Sequence, residues 1–474
     1  MRNWRALLGN ERGVALVLSL MMLLALTGLL LAFMSVSALE PQISRNVADT
    51  ARARYLAEAG IEVGFNALIN ISNFSTALTS ASASAPWAAV VTDATLSGVT
   101  GGGSSAEAAF AGTYSVVVRN DFQNADSAMT GQSAGSDTTP NETLTSDSNG
   151  IVIMRATGSF NGASKTIEVV VRRQQLPPFP GAVNLPGLQA DSFINKTSFD
   201  IDGRDYVCSA SCDTDANWTA GASNMKFGIA TQPGTQSNVG VTYEARVESA
   251  VSGSSSKQAS IKGKSETTGA YTTGLNTIQA DPALNPTVMQ QYIDAVANFP
   301  GTTILQSTQA CPMKLTGSPS GLTSTPTLTN GCSGVSGVNE PLDLGTRDNP
   351  KLVYFRGDTD PTSQFTGLTL DKGIKGAGIL IIEDGDLKNL GSFQWDGVVI
   401  VTGNYVGSGF MDDSDTLIRG AFVANEKVAG EASGFFEFYL HSGADSFSIR
   451  NSQQNLDMVQ VMRGNHALTN WREL

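Results

Sequence analysis

Four cysteines stand as two local pairs, Cys208 with Cys212 and Cys311 with Cys332, in a chain that has two histidines, His441 and His466. Neither pair is a C-x-x-C, and both histidines lie far away in sequence, so no zinc ligand set with the usual spacing is present. Disulfides are the expected outcome for an even number of thiols in a chain that leaves the cytoplasm. Three connectivities are open, and pairing 208 with 212 and 311 with 332 closes the smallest loops.

Carboxylates cluster at Asp200, Asp202 and Asp205, at Asp384 and Asp386, and at Asp412, Asp413 and Asp415. A glycosidase needs two carboxyl groups about 5–10 Å apart across a cleft, and residues two apart share one face of a strand. The same aspartates sit beside Gly and Asn, where they equally well form turns. Neither histidine has a G-x-S-x-G elbow or other nucleophile context, and no phosphate loop occurs, so neither enzymatic activity nor a cofactor is expected. Asp137, Glu142, Asp147 and Asn149 fall in one acidic loop and are calcium candidates, although their spacing matches no calcium-loop motif. Arg356-Gly357-Asp358 follows an apolar run and reads as a turn, and the N-x-S/T matches at Asn195 and Asn217 carry no function by themselves.

The elements that would position these groups follow from composition and periodicity. The chain has 474 residues, enough for two domains beyond an anchor, and is rich in Gly with few charges. A net charge of -13 repels nucleic acid, and its acidic groups are dispersed rather than blocked. A short basic leader (Arg2, Arg5, Arg12) precedes an uncharged apolar run from Val14 to Leu39. As a helix this run spans about 39 Å, enough to cross the ~30 Å hydrocarbon core of a bilayer. The leader's charge holds the N-terminus in the cytoplasm and sends the rest outward. Val36-Ser37-Ala38 has the small residues of a conventional signal-peptidase site, but the run is too long for a secretory h-region. Beyond Pro41, Ile43, Val47, Ala51, Tyr55, Ala59, Val63 and Ala67 recur every fourth residue, with Leu56, Ile61, Phe65 and Leu68 widening the stripe. The pattern predicts one long helix over 14–70, membrane-spanning over 14–39 and amphipathic over 42–70, bent near Gly28 or Pro41, whose second half packs on a domain.

Arg12-Gly13 followed by "VALVLSLMMLLALTGLLLAFMS" and then "ARARYLAEAGIEVGFNAL" resembles the type IV pilin-like superfamily, specifically the PilX-type minor pilins. The resemblance implies a prepilin leader over 1–13 cut after Gly13, N-methylation of Val14, and assembly of the retained helix into a filament core. It implies other pilins and minor pilins as partners, together with a PilY-type tip adhesin. It also implies a stay in the bacterial inner membrane, single-pass with the C-terminus periplasmic, before assembly at the cell surface. Major pilins of the superfamily carry Glu at the fifth mature position, where it compensates a neighbour's N-terminal amine; here that position is Leu18. An uncompensated amine in an apolar bundle costs several kcal/mol, which suits a subunit at or near the tip.

The fold class expected is α+β. Residues 71–111 read as loop, and "GTYSVVVRN" (Tyr114, Val116 and Val118 on one face), "GIVIMRATGSF" and "ASKTIEVVVRR" as antiparallel strands, giving a pilin-like head over 71–173. A Pro-rich linker over 174–187 then leads into a mostly-β domain over 188–474. There "KLVYFRGD", "GILIIEDGD", "GVVIVTGN" and "GAFVANE" are continuous apolar runs, the last three starting 19 and 23 residues apart, as in rungs of a parallel β-helix or solenoid. A helix over 285–299, with Asn285 as cap and Pro286 in its first turn, would cap or flank it. The functional expectation is a minor pilin acting in pilus assembly and adhesion. The alternatives are a large minor pseudopilin of a type II secretion system, or a membrane-tethered β-helix protein that binds or degrades glycans.

Overall fold

The computed structural model describes residues 11–474 apart from 72, 96–111, 122–126, 131–142, 300–301, 309–310, 331–338, 358–366, 405–406, 412–414, 429–435 and 463–464. A long helix is followed by a largely β chain. The chain divides into two compact units, one of Met1–Leu68, Phe74–Val171 and Leu468–Leu474, the other of Ile69–Asn73 and Arg172–Ala467.

In the first unit, α1 (Glu11–Ile69) runs unbroken through Gly28 and Pro41. The sheet contains β1 (Ala88–Thr95), β2 (Thr113–Asn120), β3 (Ile151–Phe160) and β4 (Ala163–Arg173), and the terminal strand His466–Glu473 lies beside β4. Tyr114, Val116 and Val118 face inward from β2, as their alternation requires. Residues 71–111 were expected to be loop, yet β1 lies among them, bulged where it pairs with β2. Its Ala/Thr composition gives little alternation to read. Asn161 and Gly162, at φ 48° and 84°, make the two-residue turn joining β3 to β4. Positive φ at both positions is what the twist of a tight hairpin demands.

The helix meets this sheet backbone to backbone. A Cβ on Gly158 of β3 would lie 2.1 Å from the Ala53 carbonyl oxygen and 2.5 Å from the Ala57 nitrogen. On the helix side, a Cβ on Gly64 would lie 2.6 Å from Met154 Sδ and from Val116 Cγ1. The buried stripe is therefore Ala53, Leu56, Ala57, Gly60, Ile61, Gly64, Phe65 and Leu68. The row of fours differs from this expectation: Ile43, Val47, Ala51, Tyr55 and Val63 are exposed. Four residues turn a helix by about 400°, so a strict row of fours winds around the cylinder, whereas mixed threes and fours hold one face.

In the second unit the chain alternates between two sheets. One carries Lys351–Arg356, Ile374–Glu383, Phe393–Gly403, Asp415–Glu426, Ser446–Arg450, Asp200–Asp202 and Ile261–Lys264 as successive parallel neighbours. The other carries Met313–Thr316, Leu368–Asp371, Leu387–Asn389, Ser408–Phe410, Phe438–Leu440 and Ser192–Ile194, again all parallel. The long strands are buried on both faces. Leu380, Ile382, Val399, Val401 and Phe422 point into one core. Ile379, Ile381, Val398, Ile400 and Val423 point into another, covered by Met289, Tyr292, Ile293 and Val296 of the helix Pro286–Ala297 and by Leu456 and Val459 of the helix Gln453–Gln460. The first of these helices starts as its sequence requires, with the Asn285 side chain accepting from Thr287 N.

Cys208 and Cys212 form a disulfide. The loop it closes is followed by Trp218, whose Nε1 donates to the Cys212 carbonyl at 2.9 Å and whose ring lies 4.4 Å from the fully buried Arg419 guanidinium. Arg419 in turn donates to Asp396 at 2.8 Å, so the buried charge is paired. Cys311 is also disulfide-bonded; its expected partner Cys332 lies outside the described residues.

Gly378, Gly397 and Gly420 lie in register on adjacent strands, at φ 123°, 136° and 145°. A Cβ on Gly397 would sit 2.1 Å from the Gly378 carbonyl oxygen, and one on Gly420 2.0 Å from that of Gly397. Gly397→Ala combines left-handed strain with this overlap and should destabilise the second unit by on the order of 3 kcal/mol. Gly321→Ala, with nothing within 4 Å of its added Cβ, is the control in thermal unfolding; equal midpoints for the two variants would contradict the close approach.

Candidate functional site

From Val14 to Leu39 the large apolar side chains of α1 are all exposed, Val14 and Leu18 each by 61%. It is the helix, among the described residues, that is long and apolar enough to cross a membrane. Three of its hydroxyls are bonded within the helix. Ser19 donates to the Leu16 carbonyl at 2.9 Å, Thr27 to that of Leu23 at 2.8 Å, and Ser35 to that of Ala32 at 2.8 Å. A hydroxyl bonded to its own helix needs no water, so the cylinder is compatible with lipid or with apolar protein all round. Gly13 and Val14 lie in the helix, as does the Val36-Ser37-Ala38 triplet.

Past Pro41, apolar side chains remain exposed at Ile43, Val47 and Tyr55, 61%, 64% and 60%. Charged neighbours on this segment are paired along the helix, Arg54 with Glu58 at 3.1 Å and Arg52 with Asp49 at 3.7 Å. The exposed row was missed as a distinct feature because its residue types are those of a core. Close approaches of helix and sheet at Gly158, Gly64 and Gly112 mark the face that is covered.

The sheet that holds the helix is closed by a charge clasp. Glu168 of β4 is 1% exposed and accepts from Arg155 Nε of β3 at 2.7 Å and from Arg472 Nε of the terminal strand at 2.7 Å. Burial alone would raise its pKa, but the hydrogen bonds and charges of the two guanidinium groups outweigh that and hold the carboxyl below the usual carboxylate range. Leu474 N donates to the Thr166 carbonyl at 2.9 Å, fixing the end of the strand. A partner 304 residues away in sequence leaves no local signal.

The other residues singled out by type have structural partners. Asp200 bonds Lys262, Ser448 and Arg450. Asp202 bonds Arg204 and Tyr206, and Asp205 accepts from Gln453 N at 2.8 Å. Asp386 accepts from Gly407 N at 2.6 Å, Asp384 pairs with Lys427 at 3.3 Å, and Asp415 accepts from the Ser446 hydroxyl. Asp412, Asp413, Asp137, Glu142 and Asp358 lie outside the described residues. Asp147 Oδ1 accepts from Gly150 N at 2.9 Å, while Asn149 Oδ1 accepts from Ile151 N at 2.8 Å and its Nδ2 reaches Asp121 at 3.3 Å. These are turn-forming bonds, and no group of acidic, Cys or His residues able to hold a metal occurs among the described residues. His466 accepts at Nε2 from Arg173 Nε at 2.9 Å and meets the Met462 carbonyl through Nδ1 at 2.9 Å. Burial pushes its pKa down to about 4, so it is a neutral structural bridge near pH 7. His441 Nδ1 accepts from Gly443 N at 3.2 Å.

A family model described as PilX N-terminal matches residues 12–62. The matched segment coincides with the exposed helix and most of the packed stripe. No curated protein matches the chain. Among solved structures, the competence-associated pilin ComZ from Thermus thermophilus is 11% identical over 90% of this chain and 97% of that one, with a TM-score of 0.25.

The clasp has a definite pH dependence. A carboxyl whose pKa is lower folded than unfolded contributes stability that is present above its unfolded value and is lost as pH falls through the folded one. Glu168→Gln should therefore lower the unfolding midpoint at pH 7 and flatten its fall as pH drops below the ordinary carboxylate value. Hydrogen exchange should show residues 468–474 opening first; equal protection in variant and wild type would remove the clasp.

Proposed function

We propose that the chain is a minor pilin of the type IV pilin type, cut after Gly13 and carried into a filament by the helix that begins at Val14. One observation carries this reading: an apolar cylinder from Val14 to Leu39, exposed all round, is followed on the same helix by exposed apolar side chains at Ile43, Val47 and Tyr55, before and beside the segment that is packed on a sheet. A simple bitopic anchor needs the first feature alone. A helix that leaves lipid to pack against sister helices needs both, because its contacts must continue above the membrane. Before assembly it lies in the inner membrane with the bulk of the chain outside, in line with its basic leader.

Leu18, at the fifth mature position, brings no carboxylate to a neighbour's amine, which favours a place at or near the tip, where no subunit above supplies such an amine. The second unit is read as a β-helix because its strands alternate between two parallel sheets with residue spacings of 19 and 23 at the glycine ladder. It is stapled by Cys208–Cys212 and, in this reading, by Cys311–Cys332. It would present a recognition surface at the filament end, with other minor pilins and a PilY-type adhesin as partners.

Mass spectrometry of the chain from isolated pili should find an N-terminus at methylated Val14. A functional chain that keeps Arg12, or one that starts at Leu39, would overturn the reading. Gold labelling should mark filament ends in wild type, and Leu18→Glu should spread the label along the shaft; even shaft decoration by the wild type would overturn the tip placement.

A further inference from the structure

The strands Asp205–Cys208 and Trp218–Gly221 form a hairpin with a two-stranded sheet of its own, apart from the two large sheets of the second unit. Its apolar content is small, a cluster of Tyr206, Cys208 and Trp218 with Cys212 beside it, and Val207, Asp213 and Asp215 are exposed. Charge holds its tip against the strands Ile374–Glu383, Asp415–Glu426 and Ser446–Arg450. Asp215 Oδ1 accepts from Arg450 Nη1 at 2.9 Å and lies 3.6 Å from Arg419 Nη1, and Asp213 lies 3.6 Å from Lys375 Nζ. The Trp218 ring is shared by two guanidinium groups, Arg419 at 4.4 Å and Arg347 at 4.8 Å. At the base, Asp205 accepts from Gln453 N, Tyr206 N donates to the Asn451 carbonyl at 2.9 Å, and Cys208 N donates to Gln454 Oε1 at 3.0 Å.

The turn over 208–212 positions the tip. Trp218 Nε1 donates to the Cys212 carbonyl and Asn217 Nδ2 to the Ser211 carbonyl at 2.6 Å, so both side chains take their places from carbonyls of the loop that the disulfide closes. The bridge spans a sequence separation of 4. A loop so short restrains the unfolded chain least, so the bridge acts on local shape more than on global stability. Cys212 is half-buried whereas Cys208 is buried, which makes Cys212 the sulfur that a thiolate reaches first. Beneath the hairpin, Arg419 is fully buried and its Nη1 has no hydrogen-bond partner among the described residues. Covering that nitrogen costs desolvation, which opening to water returns.

We propose that the Cys208–Cys212 bridge is a thiol–disulfide exchange site, and that its reduction by a dithiol releases the hairpin as a strap from Arg419. A thiolate of the dithiol attacks Cys212 Sγ, the Sγ–Sγ bond breaks, and Cys208 leaves as a thiolate that takes up a proton. The second thiol of the reagent then attacks the reagent sulfur of the mixed disulfide, and Cys212 leaves and is protonated. The reagent ends as a disulfide, two electrons having passed to the protein. With the turn opened, the Cys212 carbonyl no longer holds the indole, and Asp213 and Asp215 move away from Lys375 and Arg450. Reoxidation closes the strap.

The full chain in detergent is treated with dithiothreitol, and thiol alkylation, amide exchange and reactivity towards phenylglyoxal, an arginine reagent, are read by peptide mass spectrometry. Cys208 and Cys212 should become alkylatable, and amides over 205–221 should exchange at least about tenfold faster. Arg419 should become reactive while the strands Phe393–Gly403 and Asp415–Glu426 keep their protection. The double variant Cys208→Ser, Cys212→Ser should show the same open strap without reductant, which separates this bridge from the one at Cys311. Unchanged exchange over 205–221 with an unreactive Arg419 in the double variant would overturn the proposal, and so would long strands that lose protection together with the strap. A bridge that resists dithiothreitol in the folded chain would remove the exchange site.

Discussion

An apolar helical surface with nothing buried against it cannot stay in water, and the first unit depends on that constraint. The segment from Val14 to Leu39 is a cylinder rather than a stripe, so no single face is marked for one partner. Lipid and a ring of similar helices satisfy it equally, and its hydroxyls, bonded inward, make no demand on either. Direction enters only beyond Pro41, where one side of the helix is fixed to a sheet and the exposed surface mixes charged residues with a few apolar ones. The fixing is a matter of volume: Gly158 lets the Ala53 and Ala57 backbone lie where a side chain would stand. The same contact fixes which residues of the helix are covered by the sheet.

The second unit rests on a different economy. Its long strands bury both faces, one in an inner core with Phe393, Trp395, Phe410 and Phe422, the other beneath two helices. Parallel strands covered on both sides are the usual condition for such sheets. The glycines Gly378, Gly397 and Gly420 stand in register on three adjacent strands despite unequal connecting loops. Charged groups within this framework, such as Arg419 with Asp396, are paired rather than exposed to a cleft.

Much of this was legible in the sequence because it is local. The apolar run, the inward alternation of β2, the capped helix at Asn285, the Cys208–Cys212 link and the apolar runs of the long strands each declare themselves within a few residues. What was not legible is non-local. The Ala88–Thr95 strand has too little alternation to stand out, and the exposed row on α1 has the composition of a buried one. Glu168 and Arg472, or Trp218 and Arg419, are brought together only by the path of the whole chain. The aspartates drew attention as chemistry, and each described one is bonded to a cation, a hydroxyl or a backbone nitrogen.

The strand His466–Glu473 sits beside β4, so the chain leaves the first sheet and comes back to it at adjacent positions. Everything from Arg172 to Ala467 is therefore an excursion held at two points instead of a tail held at one. Tension applied to that excursion divides between two lanes of backbone running side by side, and a single cut within it does not set either end adrift from the head. Such doubled tethering is a mechanical property of the route of the chain itself.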